Sequence, residues 1–482
     1  MEEIASYLND IIWSNALVLL CLGTGIYFSF RTRLVQLRSI KEMLRLLFGS
    51  KSSTQGVSSF QAFAIALSGR VGTGNIAGVA TAIAMGGPGA VFWMWAIAFL
   101  GSASAYIEAT LGQLYKQEID GQYRGGPAYY IERGLGIKWY AIIFAIATIL
   151  STALFLPGVQ SNSIVTSAFH AFEIPPYITG LIIVSLLALI IFGGVKRIGK
   201  VAEFVVPFMA GAYILMALII IVLHVNEVPH MFTLIIRSAF GAEQAFSGIF
   251  GMAVAWGVKR GIYSNEAGQG TAPHAAAAAE TKHPATQGLV QAFSVYVDTL
   301  FVCTATAFMI LFTGKYNVKN PSGGFLVENL PGIEEGPAFT QHAINAHFPS
   351  MGSGFVAISL LFFAFTTIMA YYYIAETNFS YLLKKTEKKW MLVLLRILFL
   401  AATYYGSIKT AKLAWTLGDI GVGLMAWLNI IAILLLHKPA IKLLNDYEEQ
   451  RKKTKEPIFD PTSLAIDRAD FWAAKNRHQK SD

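Results

Sequence analysis

Residues 68–78 have the sequence SGRVGTGNIAG, and they interrupt an apolar stretch that extends from 59 to 84. A second interruption, GVKRGIYSNEAGQGT, occupies residues 257–271 inside another apolar stretch. Glycine adopts backbone dihedrals that other residues avoid, so each segment predicts an unwound point within a helix. In lipid, unwound backbone is tolerated only beside a cavity or other protein, because unpaired peptide groups are costly there. The two segments therefore predict a pair of discontinuous membrane helices.

The composition also indicates an integral membrane protein. Of the 482 residues, 55% are hydrophobic and 14% are charged, whereas about 25% are charged in a typical soluble domain. One span needs about 20 apolar residues. The sequence offers eleven candidate spans, at about 11–30, 59–84, 88–115, 139–170, 176–194, 201–224, 243–280 (interrupted), 286–313, 350–383, 390–407 and 413–437.

The basic residues predict the orientation of these spans. If the N-terminus lies outside, most Lys and Arg fall on the inner side, as is typical of cytoplasmic loops. The chain would then be a multi-pass cell-membrane protein with a cytoplasmic C-terminus. The inner group comprises the 31–51 cluster, residues 116–138, 196–200, Lys282, Lys384, Lys385, Lys388, Lys389 and the tail. The 31–51 cluster has its basic residues at helical spacing, which predicts an amphipathic helix on anionic lipid.

The two interrupted helices open two similar runs of spans. Residues 59–224 would begin inside and residues 243–437 outside, so the runs have opposite topology. That pattern is typical of inverted-repeat transporters, whose binding site lies near the bilayer midplane. Residues 1–58 would form an N-terminal helix with the amphipathic segment, 225–242 an extracellular connection, and 438–482 a cytoplasmic tail. Close helix packing is the simpler interpretation of Gly74 and Gly78, which form a GxxxG pair.

Other classes of protein find less support in the sequence. Nine histidines and two cysteines show no metal-ligand spacing, and no nucleophile–base set is apparent. We therefore expect neither an enzyme nor a bound cofactor, and no nucleic-acid partner. A channel needs a continuous lined path, whereas this chain has one pair of breaks. A channel and a transport-derived sensor remain the alternatives from other classes.

Several motifs resemble the alanine or glycine:cation symporter family of the amino acid–polyamine–cation superfamily. The matching segments are SGRVGTGNIAGVA (68–80), GGPGAVFWMW (86–95), RGGPAYY (124–130), KRGIYSNEAG (259–268) and FAFTTI (363–368). The resemblance implies an all-α membrane protein of the leucine-transporter type. It would have a five-plus-five inverted repeat preceded by one extra helix, giving eleven transmembrane helices. It also implies sodium-coupled import of a small neutral amino acid by alternating access.

The resemblance implies roles for residues at both breaks. The amides of the first break would bind the substrate carboxylate, and groups of the second would bind the rest of the substrate, including its ammonium. Gln160 is a further polar candidate for the pocket, although interhelical hydrogen bonding would equally explain it. The substrate residues so implied are Gly72, Thr73, Gly74, Asn75, Ser264, Asn265 and Gly268.

A sodium site is implied between the first broken helix and the eighth core helix. Its ligands would be the carbonyls of Ser68, Val71 and Phe363 with the hydroxyls of Thr366 and Thr367. Sodium is a hard cation that binds oxygen, which suits this set. The alternative for the two threonines is back-bonding to the preceding helical turn.

One position departs from the family pattern. Relatives often carry Gly-Trp after the two threonines, where this chain has Ala370 and Tyr371. A tyrosine leaves different room above the substrate and adds a hydroxyl. Alanine or glycine is the expected substrate, and a glutamine-preferring symporter of the same family is the alternative.

Charged residues within the spans are expected to be paired or to face a cavity. Arg70 lies in the first break, and Glu266 or Asp298 could neutralise it. We expect these three residues to be candidate gating charges, with a static structural pair as the alternative. Glu108, Lys259 and Arg260 are further charges inside or beside spans.

Overall fold

The structure is a computed structural model that describes residues 2–48, 56–119, 121–349, 351–383 and 389–481. The basic residues Lys51, Lys384, Lys385 and Lys388, which contribute to the predicted orientation, lie outside these ranges.

The N-terminal half contains helices at every predicted span, and these helices differ widely in length. Two short helices, α1 and α2, precede a kinked segment with α3 and α4, and the first interrupted helix consists of α5 and α6. The bounds are α1 Glu2–Ile12, α2 Asn15–Arg31, α3 Val35–Arg38, α4 Ile40–Phe48, α5 Ser59–Arg70, α6 Gly74–Gly86, α7 Gly89–Leu114, α8 Pro127–Tyr130, α9 Lys138–Phe172, α10 Pro176–Ile191 and α11 Gly194–Leu223.

The C-terminal half repeats the arrangement of a broken helix followed by long helices. The bounds are α12 Val228–Ala239, α13 Phe250–Asn265, α14 Ala272–Ala278, α15 Pro284–Thr313, α16 Pro337–Asn345, α17 Gly352–Leu382, α18 Lys389–Ser407, α19 Ala411–Lys453 and α20 Asp470–Ser481. Two antiparallel hairpins complete the fold, β1 Gln117–Ile119 with β2 Gln122–Arg124, and β3 Asn317–Lys319 with β4 Phe325–Glu328.

Eight helical stretches among the described residues are long and apolar enough to cross a membrane, with Glu2–Arg31 taken as one of them. The first broken helix is shorter in each of its halves, and α10 has 16 residues. The outer helices expose large apolar side chains such as Leu189, Phe204 and Leu215. Such a surface suits contact with lipid, because lipid tails do not penalise exposed apolar groups.

The four halves of the broken helices form the centre of the molecule. Nearly all of α5, α6 and α14 and the second half of α13 are buried. The start of α5 and the end of α14 are joined directly: Val57 N donates to Ala278 O and Glu280 N to Val57 O, both at 3.0 Å. This short parallel bridge links the chain two residues before α5 to the end of α14.

Several features differ from what the sequence predicts. The 31–51 segment forms two short helices instead of one, and two of its basic residues form ion pairs within the protein, Arg33 with Glu448 at 3.5 Å and Arg38 with Glu448 at 2.5 Å. The helix α12 and both hairpins lie in segments where no element was predicted. Short hairpins and a 12-residue surface helix lack the length that identifies a span.

The C-terminal tail packs against the end of α7 and the segment between α14 and α15. Phe459 N donates to Lys282 O at 3.0 Å, and Trp472 Nε1 donates to Gln113 O at 3.1 Å. Lys116, one residue beyond the C-cap of α7, places its Nζ 4.6 Å from the centre of the Phe471 ring and 2.8 Å from Ala279 O. The tail therefore belongs to the folded body.

Candidate substrate and cation site

The first break consists of residues 71–73, between α5 and α6. Its amides donate to side-chain oxygens: Gly72 N to Asn75 Oδ1 at 2.8 Å and Thr73 N to Gln160 Oε1 at 3.0 Å. Asn75 and Gln160 are buried. The structure thus brings Gly72, Thr73, Asn75 and Gln160 together, with one amide of the break bonded to α6 and the other to α9.

Gly72 lies where no larger residue fits. A Cβ at this position would overlap Thr367 Oγ1 and would lie 3.0 Å from Gln160 Oε1. Gly74 is similarly close to the second broken helix, since its Cβ would lie 3.1 Å from the Cα of Ser264. Glycine at these positions therefore allows α5, α13 and α17 to approach around the break.

Three backbone carbonyls converge on one hydroxyl between α5 and α17. Thr367 Oγ1 lies 2.7 Å from Ser68 O, 3.3 Å from Val71 O and 3.0 Å from Phe363 O. These are four of the five groups predicted to bind sodium, and all are oxygens without formal charge. Such a set suits a hard monovalent cation.

Thr366 faces a different environment. Its hydroxyl lies 3.0 Å from the carbonyl oxygens of Phe362 and Phe363 in its own helix. This is the back-bonding geometry that a threonine adopts inside a helix. Both threonine hydroxyls lie near Phe363 O. Only the Thr367 hydroxyl is hydrogen-bonded to Ser68 O and Val71 O.

The second break extends from Glu266 to Thr271, between α13 and α14. Glu266, Gly268 and Gly270 adopt positive φ angles of 55°, 82° and 87°. Asn265 Oδ1 accepts from Ala267 N at 3.0 Å, so this side chain stabilises its own turn. Glu266 supplies the left-handed backbone that ends α13, and Gly268 and Gly270 supply further left-handed positions within the break.

A buried carboxylate on α7 holds the second break. Glu108 Oε1 accepts from Gly268 N at 3.3 Å, and Glu108 Oε2 accepts from Gly270 N at 3.1 Å and Asn429 Nδ2 at 2.8 Å. Asn429 Nδ2 also donates to Gly268 O at 2.9 Å. The sequence alone does not reveal this role of Asn429, because a neutral amide in an apolar span carries no distinguishing signal.

Asp298 connects the two broken helices. Its Oδ1 accepts from Asn75 Nδ2 at 2.6 Å and from Ser264 Oγ at 3.1 Å, and its Oδ2 accepts from Thr299 Oγ1 at 2.7 Å. Asp298 lies in a π-helical stretch of α15, residues Val297–Cys303. The extra residue per turn in such a stretch is frequent at functional sites.

Arg70 does not form the predicted ion pair. Its guanidinium donates to Ser294 Oγ and, at 3.2 Å, to Gln291 O, both on α15. Within the described ranges, Arg70 has no carboxylate at ion-pair distance, and its Nε and Nη2 have no hydrogen-bond partner. The carboxylates of Glu108, Glu266 and Asp298 act on it through electrostatic interaction at longer range.

The half of α13 before the break is tied to α19 by ion pairs. Lys259 Nζ lies 2.8 Å from Asp419 Oδ2, and Arg260 Nη1 lies 2.8 Å from Asp419 Oδ1. Arg260 also stacks on Trp415, 4.6 Å from the ring centre, and Trp13 Nε1 donates to Asp419 O at 2.8 Å. Asp419 has a signal in the sequence, because it is an acidic residue within an apolar span.

Tyr371 is buried on α17, where its hydroxyl interacts with Glu266 of the second break and Gln160 of α9. A small cavity lies nearby, between α5, the second break and α17. Its lining includes Gly69, Glu266, Thr271, Ala370 and Tyr373. Gly268 lies away from it, against Ile430 of α19.

The comparisons with known proteins agree with this architecture. The model of the sodium:alanine symporter family matches residues 1–461. The chain is 61% identical to YrbD of Bacillus subtilis (strain 168), over 99% of each chain. It is 54% identical to the sodium/proton-dependent alanine carrier protein of Bacillus sp. (strain PS3), over 89% of this chain and 97% of that protein.

A solved structure shows the same fold at low identity. A variant of the manganese transporter from Eremococcus coleocola aligns with a TM-score of 0.53 and 13% identity, covering 82% of this chain and 88% of that one. The fold is thus of the leucine-transporter type, and the family is one of transporters rather than enzymes. From its match over nearly the whole length, the chain belongs to the sodium:alanine symporter family.

Proposed function

We propose that this protein is a sodium-coupled symporter that imports a small neutral amino acid, with alanine as the first candidate. The observation that carries the proposal is the convergence of Ser68 O, Val71 O and Phe363 O on Thr367 Oγ1, directly beside the amides of the first break. Two of the oxygens for the cation and the amides for the substrate carboxylate therefore lie next to each other in the chain, at the end of α5 and in the break that follows it. The relative from strain PS3 is named as a sodium/proton-dependent alanine carrier, which supports the same substrate.

The first break supplies the donors for the substrate carboxylate. Gly72 N and Thr73 N now donate to Asn75 Oδ1 and Gln160 Oε1. A carboxylate would take over these amides, because charge-assisted hydrogen bonds are stronger than those to neutral acceptors. The positive end of the α6 dipole adds to this preference.

The second break supplies acceptors for the ammonium. Asp298 accepts from Asn75 Nδ2 and from Ser264 Oγ at the end of α13, and Gly268 O of the break accepts from Asn429 Nδ2. Tyr371 covers the site from α17, and its phenol occupies less space than the tryptophan expected in the family. That difference is the observation that favours glutamine as the second candidate.

The sodium ion contributes by stabilising the end of α5. An ion held by the three carbonyls and Thr367 would fix the break in the conformation that presents its amides. The two ligands then bind with reciprocal coupling: each raises the affinity for the other by the same factor. We assign Thr366 no ligand role, since its hydroxyl is engaged within its own helix.

The proposed architecture has eleven spans, with an extra N-terminal helix before a five-plus-five inverted repeat at 59–224 and 243–437. The proposed N-terminus is outside and the C-terminus cytoplasmic. In this orientation, the pairs of Lys259 and Arg260 with Asp419 lie on the outer side of the site, and the bridge at Val57 lies on the inner side. Alternating access would break the contacts of one side while those of the other are formed.

Equilibrium binding tests the coupling. Purified protein should bind labelled alanine at least tenfold more tightly in sodium chloride than in choline chloride at equal ionic strength. Competition by glycine, glutamine and leucine then ranks the substrates. Equal alanine affinity in the two salts would contradict coupling at the binding step.

Saturable counterflow in liposomes would separate a carrier from a channel, and a protein that binds but does not exchange alanine would be a sensor.

A further inference from the structure

The C-terminal tail holds two large aromatic side chains inside the folded body. Trp472, near the start of α20, is 1% exposed, and its Nε1 donates to Gln113 O at the end of α7 at 3.1 Å. Phe459 is fully buried, and its ring centre lies 5.4 Å from that of Trp472. Most residues between these two are exposed or half-buried. The two rings therefore anchor the tail to the rest of the protein.

The tail also encloses a buried cation. Lys116 is 2% exposed, and its Nζ lies 4.4 Å from the ring centre of Tyr123, 4.6 Å from that of Phe471 and 5.4 Å from that of Trp472. The attraction between a cation and an aromatic ring is strongest where water is excluded. The tail thus supplies two of the three rings that stabilise this ammonium group.

The tail and the end of α7 both hold the segment that connects α14 to α15, which we call the α14–α15 connector. Lys116 Nζ and Gln113 Nε2 donate to Ala279 O, both at 2.8 Å. Phe459 N donates to Lys282 O at 3.0 Å. The connector is therefore fixed near its beginning by α7 and near its end by the tail.

The α14–α15 connector in turn holds the start of the first broken helix. The parallel bridge of Val57 with Ala278 and Glu280 joins the two at 3.0 Å. Direct contacts thus extend from the tail, through Lys116 and the connector, to the chain before α5. In the proposed orientation this bridge lies on the inner side, and alternating access requires that it break when the inner side opens.

We propose that residues 459–472 are an intramolecular latch that keeps the inner side of the transporter closed. The inference rests on the proposed symport function and orientation. When the latch leaves, the connector loses its contact at Lys282, and Lys116 loses two of the three rings around its ammonium group. The start of α5 can then move away from α14 with less resistance. The docked latch therefore shifts the conformational equilibrium toward the closed inner side.

Static packing of the tail is the alternative. A tail that bound the closed and open forms equally would shift nothing, however tightly it bound. A latch differs because it is linked to other events that favour the same form. Sodium at Thr367 would hold the end of α5 against α17, while the latch holds its start through the connector. Sodium binding and latch docking should therefore strengthen each other.

Thiol labelling from the inner side tests the latch. Ala275→Cys is the reporter, because Ala275 is 3% exposed on α14 and lines the cavity between α5 and α17. In inside-out vesicles without sodium, Trp472→Ala should speed labelling of this reporter by an impermeant maleimide at least threefold. Protein without the reporter gives the background rate of the two buried native cysteines, Cys21 and Cys303.

Three further variants separate the latch from a general effect of mutating the tail. Ile458→Ala is the matched control, because Ile458 adjoins Phe459 but is 55% exposed, and it should leave the labelling rate unchanged. Lys116→Met removes the ammonium group and keeps the stem, so it should speed labelling as Trp472→Ala does. Trp472→Phe keeps a ring and should have an intermediate effect. Equal labelling rates in Trp472→Ala and Ile458→Ala would overturn the latch.

Wild-type protein provides a second test, which decides if Trp472→Ala does not reach the membrane. Amide hydrogen exchange over residues 459–472 should be at least threefold slower in sodium chloride than in choline chloride. The hairpin of β3 and β4 is the internal control, and its exchange should be equal in the two salts. With protein that accumulates alanine under a sodium gradient, equal exchange of the tail in the two salts would overturn the latch.

The inference and the proposed function fail in different ways. The labelling comparison is made without sodium, so it does not depend on sodium coupling. Absence of any sodium-driven alanine uptake by wild-type protein would instead contradict the proposed function.

Discussion

Thr366 and Thr367 are adjacent and chemically identical, yet their hydroxyls meet different partners. Successive residues of a helix point about 100° apart, so only one of the two faces α5. Thr367 Oγ1 reaches carbonyls of α5, and Thr366 Oγ1 stays with its own turn. The sequence predicts that both threonines bind sodium, whereas the geometry of the helix directs only Thr367 toward the carbonyls of the first broken helix.

Replacing each threonine by valine tests this difference, because valine keeps the shape and removes the oxygen. We expect Thr367→Val to raise the sodium concentration for half-maximal uptake about tenfold or more, since about 1.4 kcal/mol corresponds to a factor of ten. Thr366→Val should change it less than threefold. Equal effects of the two variants in sodium titrations of alanine uptake would contradict the assignment.

Gly72 makes a second prediction at the residue scale. Gly72→Ala would place a methyl group against Thr367 and Gln160, so alanine uptake should fall at least tenfold in membranes with normal protein levels. Gly211→Ala in α11 is the matched control, because a Cβ there meets nothing within 4 Å. Normal uptake by Gly72→Ala would show that the break is wider than the structure indicates.

At the scale of elements, polar contacts at helix ends join neighbouring helices. His283 precedes α15, where its Nδ1 accepts from Ala285 N at 3.1 Å and its Nε2 lies 3.0 Å from Asp446 of α19. This arrangement uses neutral imidazole, with Nε2 as the donor. Burial lowers the pKa of His283 below its usual 6.5, although Asp446 opposes the shift.

The lowered pKa predicts a pH dependence of stability. The unfolded chain binds a proton on this histidine more readily than the folded one, so stability is present above about pH 6.5 and declines as pH falls toward the folded pKa. Thermal unfolding in detergent should show a lower Tm at pH 5.5 than at pH 7.5. His283→Asn keeps a similar acceptor and donor without the titration, and it should reduce that difference. If the variant shows the same difference in Tm between pH 5.5 and pH 7.5 as the wild type, the pH dependence of stability comes from other groups.

The sequence predicts much of the element pattern but few of the cross-contacts. Helices lie at every predicted span, and the observed breaks at 71–73 and 266–271 fall within the predicted interruptions. Glycine clusters and apolar runs are local signals, so they can be found in one sequence. The partners of Arg70, the amides held by Glu108 and the docking of Trp472 depend on helices far apart in the chain, and nothing local encodes them.

At the scale of the whole molecule, side chains of α7, α15 and α19 fix the second break and join it to the first, which is the arrangement that the proposed common site requires. Glu108 and Asn429 fix the second break, Asp298 joins it to Asn75 of the first, and Thr367 holds the end of α5. Movement of any of these helices would change the positions of the amides, carbonyls and carboxylates of both breaks together. Coupling between cation and amino acid therefore requires no long-range path.

Uptake of labelled alanine by proteoliposomes under an imposed sodium gradient tests the central claim most directly. With sodium outside and choline inside, the account predicts accumulation of alanine above the outside concentration, followed by loss when the gradient dissipates. A gradient of choline should produce equilibration or no uptake. Accumulation that is equal with and without the sodium gradient would contradict sodium-coupled symport.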